Sequence, residues 1–401
     1  MALPLSDRVT NMAESATLAM AQAARDLAAQ GVNVINLSVG EPDFDTPKYI
    51  CDAAKEAVDN GLYHHYTPVP GYPKLKQAIA DKLKRDNGID ADPANIVVST
   101  GAKQSIANVI LSLVNPGDEV IILAPYWVSY SDIVKFAGGK PVIVSGSIEN
   151  GFKATAEDIK AAVSDKTKCV MFSSPSNPAG ALFSKEELEA IVSVVPENVL
   201  FLSDEIYEYI NYVGQHTSIG SLEGAKDRTV TINGFSKGFA MTGWRVGYIH
   251  APQWLAKATN KIQGQVTSGT NAIAQAACIT ALEDYDSLQA ATKEMGEAFL
   301  RRRDLIISLF KEIPGINIAT PEGAFYVFPD VSAYFGKTAP DGSTIKDASD
   351  LSLYFLHNAN VSCVTGQAFG APNNLRFSYA TSDEKIVEAL GKIKDWLSKL
   401  S

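Results

Sequence analysis

In NGFSKGFAMTGWRVGY, residues 233–248, Lys237 follows an apolar run and Arg245 lies eight residues on, with mostly small, apolar or aromatic residues between them. A lysine near an apolar strand end tends to lose its proton, and a neutral amine attacks carbonyl carbon. Arg245 cannot deprotonate, so it needs a phosphate or a carboxylate. Asp204 ends the apolar run NVLFLSD, where a carboxylate needs a cation or several donors. Each residue also has a plainer reading: the two cations snorkel to solvent from a loop, and Asp204 caps a helix over EIYEYI.

The elements that must position them repeat one rhythm from about residue 95: a short β-branched apolar run, a turn, then a helical pattern. NIVVST leads to GAKQSIANVILSLV, EVIILAP to YWVSYSDIVKFAG, and CVMFSS through PSNPAG to SKEELEAIVSVV; VLFLSDEIY and TVTINGFSK follow. Continuous apolar strands alternating with helices predict an α/β fold, a mostly parallel sheet covered on both faces in a three-layer αβα arrangement. Ser184 and Glu187 form the sequence pattern of a capping box. After about residue 283 the chain becomes one long helical pattern to Pro314–Gly315, then GAFYVFPDV, NLRFSYA and a last helix, SDEKIVEALGKIKDWLSKL. The expected division is a large domain over 48–290 and a smaller α+β domain built from 1–47, with its N-terminal arm, and 291–401.

Open parallel sheets bind ligands beyond the carboxyl ends of their strands. Those ends carry Gly101, Ala102 and Lys103 after the first strand and Tyr126 and Trp127 after the second; Asn177, then Asp204 and Tyr207, then Ser236 and Lys237 follow. The small residues of STGAKQS open a helix whose free N–H groups can hold an anion, although small residues also simply fit such a turn. One molecule satisfies the whole set. An aromatic aldehyde bearing a phosphate gives Lys237 its carbonyl and Arg245 and the Gly101–Ala102 helix start their anion, while a protonated ring nitrogen gives Asp204 its cation. Pyridoxal phosphate has these features. Trp127 can stack on its ring, and Asn177 and Tyr207 can donate to its phenolic oxygen.

Composition narrows the class. The 401 residues are 46% hydrophobic and 20% charged, which suits a globular chain with a large core. A net charge of −10 without a Lys/Arg cluster argues against nucleic acid as a partner. The N-terminal stretch reads as an amphipathic helix rather than a signal peptide, and no apolar run approaches the roughly 18 residues of a membrane span, so a cytoplasmic protein without a membrane partner is expected. Cys51, Cys169, Cys278 and Cys363 stand far apart without a CxxC and read as reduced core residues. His64–His65 is no metal half-site, because adjacent side chains point apart and no carboxylate or cysteine accompanies them; no metal is expected.

SPSNPAG, SDEIYE, SKGFAMTGWRVGY and NLRFSYA, in this order and spacing, resemble the class I and II aminotransferases, pyridoxal-phosphate enzymes of fold type I. The resemblance runs from SVGEPDFDTP to LRFSYA, and VSTGAKQ and APYWVSY are most similar to the prokaryotic aspartate aminotransferases. It implies a Schiff base between Lys237 and the cofactor, a ring-nitrogen partner in Asp204, phenolic-oxygen ligands in Asn177 and Tyr207, a phosphate ligand in Arg245 and a stacking residue in Trp127. It further implies that Arg376 holds the substrate α-carboxylate through a bidentate pair, that Gly40 gives a backbone contact to substrate, and that Tyr66 reaches the phosphate of a neighbouring subunit in a homodimer with shared sites. Lys103 matches the residue that takes a distal carboxylate. Its place in a first helical turn is one the helix dipole disfavours for a cation, although it also reads as a solvated surface lysine.

The implied reaction is a ping-pong transfer of nitrogen from aspartate to 2-oxoglutarate, with prephenate or aromatic substrates as alternatives and a same-fold carbon–sulfur lyase as the competing chemistry. A regulatory protein of this fold would need a DNA-binding module that nothing before residue 40 supplies. Two positions depart from the family. Many relatives carry serine three residues before the lysine, where this chain has Gly234, which leaves the adjacent Ser236 an open question as a phosphate ligand. Ala179 stands where threonine is usual.

Overall fold

The computed structural model describes residues 3, 5–10, 12 and 14–401. Its strands begin with β1 (Ile35–Asn36), β2 (Ile96–Ser99), β3 (Glu119–Ala124), β4 (Lys140–Ser145), β5 (Thr167–Ser173) and β6 (Leu200–Asp204). β7 (Thr229–Gly234), β8 (Gly247–His250), β9 (Tyr326–Val327), β10 (Val361–Ser362), β11 (Val364–Thr365) and β12 (Leu375–Ser378) complete them. Seven form the main sheet in the order β2-β8-β7-β6-β5-β3-β4.

Alternation along the inner strands makes the three layers. Val120, Ile122, Met171 and Leu202 face the helices Ala102–Leu113, Ser129–Phe136 and Gln253–Val266. Ile121, Leu123, Val170 and Phe172 face the opposite side, where Ala156–Ala162 and Lys185–Val194 pack. A period of two with both faces apolar is what a sheet covered on both sides requires. The helix Lys185–Val194 starts at the expected capping box, with Glu187 N–H donating to Ser184 Oγ at 3.2 Å and Ser184 N–H to Glu187 Oε2 at 2.7 Å.

The apolar pattern predicts a sheet that ends at β7, but β8 joins it antiparallel to both β2 and β7. The cause is the short connection over residues 235–246, which has no crossover helix and so returns the chain antiparallel. This connection carries Lys237 and Arg245. A second correction follows β6: EIYEYI forms turns rather than a helix, so Asp204 caps nothing. Ile206, Tyr207 and Ile210 are drawn instead into a separate core with Phe299, Phe325 and Phe377. That core lies against the antiparallel sheet β11-β12-β9 and the long helix Tyr285–Lys311. β1 pairs with β10 in parallel, which brings residues 35–36 to the same region.

Close backbone approach joins β8 to the turn after β2. A Cβ at Gly247 would lie 2.6 Å from the Gly101 carbonyl carbon and 2.9 Å from Ala102 Cα, with neither atom free to move as a side chain moves. Gly247→Ala is therefore expected to destabilise the fold by about 1–3 kcal/mol through overpacking and to displace the start of the helix Ala102–Leu113. Urea unfolding of the purified variant checks this; an unchanged midpoint contradicts it.

Candidate active site

A cavity of about 410 Å³ opens at the carboxyl ends of β3, β5, β6 and β7. Ala102, Lys103, Trp127, Asn177, Asp204 and Tyr207 line it. Ser236, Lys237, Arg245, Gly40 and Arg376 complete the predicted group from the hairpin connection, the loop after β1 and β12. Gly101 stands just behind: it has φ +84°, and a side chain there would collide with the Arg245 guanidinium. Tyr66 is the exception, fully exposed and outside the cavity of its own chain.

Asp204 is buried at the end of β6. Its Oδ2 accepts from Tyr130 Oη at 2.7 Å and its Oδ1 from Ile206 N–H at 3.3 Å, and no cation pairs with it among the described residues. Burial pushes its pKa up to about 6, with the Glu205 carboxylate adding to the rise and the two hydrogen bonds and Lys237 opposing it. Lys237 shows the reverse effect: burial, then the charges of Arg376 and Arg245, lower its pKa to about 8. Its Nζ donates to Gly40 O.

Arg376 is 1% exposed and lies between the rings of Tyr326 and Phe369, at 4.6 and 5.0 Å from their centroids. Its Nη1 donates to Asn177 Oδ1 at 3.0 Å and its Nη2 to Ser38 O at 2.5 Å, while Nε has no partner among the described residues. Burial lowers its pKa. A guanidinium this deep without a carboxylate is incomplete. Asn177 Nδ2 also reaches Tyr207 Oη at 3.5 Å, and Tyr207 Oη shares a 2.8 Å hydrogen bond with Tyr326 Oη.

Arg245 has φ 58° and donates from Nη1 to Thr242 O at 2.9 Å, which leaves the rest of its fork beside the Ala102 helix start. Lys103 Nζ lies 4.9 Å from the Trp127 ring centroid, and burial together with Arg245 lowers its pKa. Ser236 lines the cavity. At Gly234 a Cβ would sit 2.8 Å from Gly247 Cα and 2.9 Å from Val246 O, so no side chain fits there without a shift of β8. Ala179 is buried against the core of Phe152, Phe328 and Phe369.

Tyr130, Tyr326 and Glu41 are cavity residues that the sequence reading missed. The need of Asp204 for donors, with Tyr130 four residues beyond Tyr126, was a usable signal for the first; nothing local marks Tyr326. Glu41 accepts from Thr242 Oγ1 at 3.1 Å. The four cysteines are free thiols, three of them buried and Cys51 partly so. Among the described residues His64 bonds only to Val58 O. No helix among the described residues is long and apolar enough to cross a membrane.

The layered sheet with charges converging beyond its strand ends is an α/β architecture of the kind that binds a ligand outside the carboxyl ends of its strands. A family model described as "Aminotransferase class I and II" matches residues 32–393. The chain is 45% identical to an aspartate/prephenate aminotransferase of Cereibacter sphaeroides over 99% of both chains, and 42% identical to an aspartate aminotransferase of Bacillus subtilis over 100% of both. It superposes on the crystal structure of the Rhizobium meliloti aspartate aminotransferase with a TM-score of 0.94 at 40% identity over 100% of both chains. The chain belongs to the class I and II aminotransferases and is an aminotransferase.

The pKa directions predict a pH dependence for the protein without ligand. Between about pH 4 and 6 the folded state, whose Asp204 titrates at about 6, binds more protons than the unfolded chain, so stability falls as pH rises. Lys237 gives the opposite slope between about pH 8 and 10.5, where the unfolded chain holds the extra proton. Asp204→Asn should therefore stabilise the protein without ligand at pH 7 by up to about 3 kcal/mol and flatten its acid slope. Urea unfolding across pH 4–8 reads both effects, and a destabilised variant with an unchanged slope contradicts them.

Proposed function

We propose that this aminotransferase uses pyridoxal phosphate to move nitrogen from aspartate to 2-oxoglutarate in two half-reactions, and that two copies share their sites. The observation that carries the reading is the set of incomplete buried groups: Arg376 with an unpartnered Nε, Asp204 without a cation, and Lys237 with a weakened hold on its proton. The residues fit the cofactor. An aldehyde, a basic ring nitrogen and a phosphate complement Lys237, Asp204 and the Arg245–Ala102 corner, and the close fit of Arg245 over Gly101 forms a cradle that a Cβ would fill.

When bound, pyridoxal phosphate supplies an electron-accepting ring that stabilises negative charge on a substrate carbon. Asp204 accepts the ring N–H and keeps that nitrogen protonated. Trp127 covers a ring face; Tyr207 and Asn177 donate to the phenolic oxygen. Arg245 and the helix start at Gly101 and Ala102 hold the phosphate, joined by Tyr66 of the partner subunit. Full exposure of Tyr66 supports that role, because it leaves the ring free to meet another copy.

Arg376 binds the α-carboxylate through its fork and, with the Gly40 backbone, sets the direction of the Cα–H bond. Lys237 would hold the cofactor's aldehyde carbon at rest. Once freed, its Nζ would take the proton from the substrate Cα and deliver it to the former aldehyde carbon, as its lowered pKa favours. In this reading residues 48–290 form the cofactor-holding domain, and 1–47 with 291–401 form the domain that carries Gly40 and Arg376.

Lys103 distinguishes aspartate from other donors. It stands on the cavity wall beside Trp127 with no carboxylate partner among the described residues, so it is placed to take a distal carboxylate. Relatives named aspartate/prephenate aminotransferase support prephenate as an additional acceptor.

Two outcomes test these roles. Lys237→Ala should lower kcat by about 10²–10⁴-fold or more and abolish borohydride-stable attachment of the cofactor, as read by intact-protein mass. Attachment at another residue refutes the assignment. Lys103→Ala should lower kcat/KM for aspartate by about 10–100-fold, the loss of one charge-assisted contact, and leave an aromatic donor nearly unchanged. Equal losses for both donors exclude a distal-carboxylate role.

A further inference from the structure

A buried charged network lies behind the cofactor residues, and none of its members takes part in the proposed reaction. In SDEIYE, Asp204 and Tyr207 face the cavity, while Glu205 and Glu208 point away from it and are buried. Glu205 Oε1 accepts from Ser203 Oγ at 2.9 Å and Ser218 Oγ at 2.7 Å. Its Oε2 accepts from Asn87 Nδ2 at 3.1 Å and lies 3.0 Å from His216 Nε2. Glu208 Oε1 pairs with the Lys82 ammonium and accepts from Asn233 Nδ2 at 2.8 Å; its Oε2 accepts from Asn87 Nδ2 at 2.7 Å.

Glu205, Glu208 and His216 lie within 4.8 Å of one another, a spacing that would suit a metal ion. Lys82, 1% exposed, already provides the cation, and its Nζ also donates to Asn87 Oδ1 at 2.6 Å. The Tyr209 ring covers the ammonium at 5.2 Å. Burial opposes the imidazolium of His216, but the Glu205 carboxylate raises its pKa overall.

Four separate elements supply the donors, one of them β6 through Ser203. Lys82 and Asn87 come from the helix Pro73–Asn87, Asn233 from β7 and Ser218 from the loop beyond the turns. The residues they hold form no helix, so no repeating backbone pattern fixes their direction. Buried ion pairs of this kind are weak sources of stability, and their use is in fixing one arrangement among several.

We propose that the Lys82–Glu208 pair, with Asn87, Asn233 and Glu205, positions Asp204 and Tyr207 toward the cofactor ring by holding the intervening turn from behind. Lys82 and Glu208 are positioning residues that never touch the cofactor. This inference rests on the pyridoxal-phosphate reading above.

The test compares Lys82→Met, Glu208→Gln and the double variant, with far-UV circular dichroism and oligomer mass to establish folding. Pyridoxal phosphate affinity is measured by equilibrium dialysis, ring orientation by visible circular dichroism of the bound cofactor, and kcat and KM with aspartate. Lys82→Met should weaken cofactor binding by about tenfold or more, and the double variant should recover part of that loss because it removes the unpaired carboxylate. The visible dichroism should change and kcat fall, with KM for aspartate held within about twofold because Arg376 and Lys103 are untouched.

Folded single variants with wild-type affinity and dichroism would overturn the proposal, as would a double variant whose losses simply add. Should Lys82→Met not fold, Glu208→Gln keeps the volume and is read by the same affinity and dichroism. A wild-type protein that binds no pyridoxal phosphate overturns the cofactor reading itself, a result distinct from variants that bind as wild type does.

Discussion

Arg376 is the side chain on which the rest of the site depends. A guanidinium enclosed by Tyr326, Phe369 and Asn177 has lost its water, and its remaining hydrogen-bonding capacity is met in part by two oxygens. A buried charge left in this condition costs several kcal/mol relative to a paired one. On the proposed reading, the fold tolerates that cost because the missing partner is a carboxylate that arrives with substrate. Asp204 repeats the arrangement with opposite sign, and Lys237 between them responds to burial and the neighbouring cations by releasing its proton more readily. These three groups are complementary to something outside the chain, and together they specify its charges: an anion, a cation and an electrophilic carbon.

Holding such groups apart in a small space demands backbone that packs more closely than side chains permit. Gly247 lets β8 lie against the Gly101–Ala102 turn, and Gly101 leaves room for Arg245. Arg245 itself adopts φ 58°, a conformation uncommon for a residue with a Cβ. The antiparallel return from β7 to β8 is therefore more than a connection, since one short loop carries the amine at one end and the guanidinium at the other. Gly234 belongs to the same contact, and its crowding against Val246 and Gly247 explains why a serine hydroxyl has no place at that position here.

Parallel strands were legible because β3, β5 and β6 are apolar on both faces, a pattern with few other interpretations. The capping box at Ser184 was legible because it is local. β8 was not, since GYIH is short and follows a connection without a crossover helix. EIYEYI has good helical spacing, yet Ile206, Tyr207 and Ile210 gain more by entering the core around Phe299 and Phe325; tertiary burial overrides local preference there. The strand-end charges could be grouped from sequence because the parallel sheet brings its carboxyl ends together. Arg376 and Gly40 lie on elements far from that sheet in sequence, and only the family resemblance joined them to it. Tyr326 carried no signal at all.

The turn after β6 shows why incomplete and complete polar groups must be read together. Within SDEIYE, adjacent side chains face opposite sides: Glu205 and Glu208 have every carboxylate oxygen bonded within the protein, whereas Asp204 keeps a buried charge without a cation. A loosely held turn would let Asp204 swing toward water or toward Lys237 and relieve its own desolvation, since the gain from pairing in a low-dielectric interior is large. The satisfied face removes that freedom, because any such rotation would break several buried hydrogen bonds at once. Preorganisation of a reactive group and saturation of the groups behind it are thus two sides of one constraint: the site can remain unsatisfied toward its ligand only where its support is not.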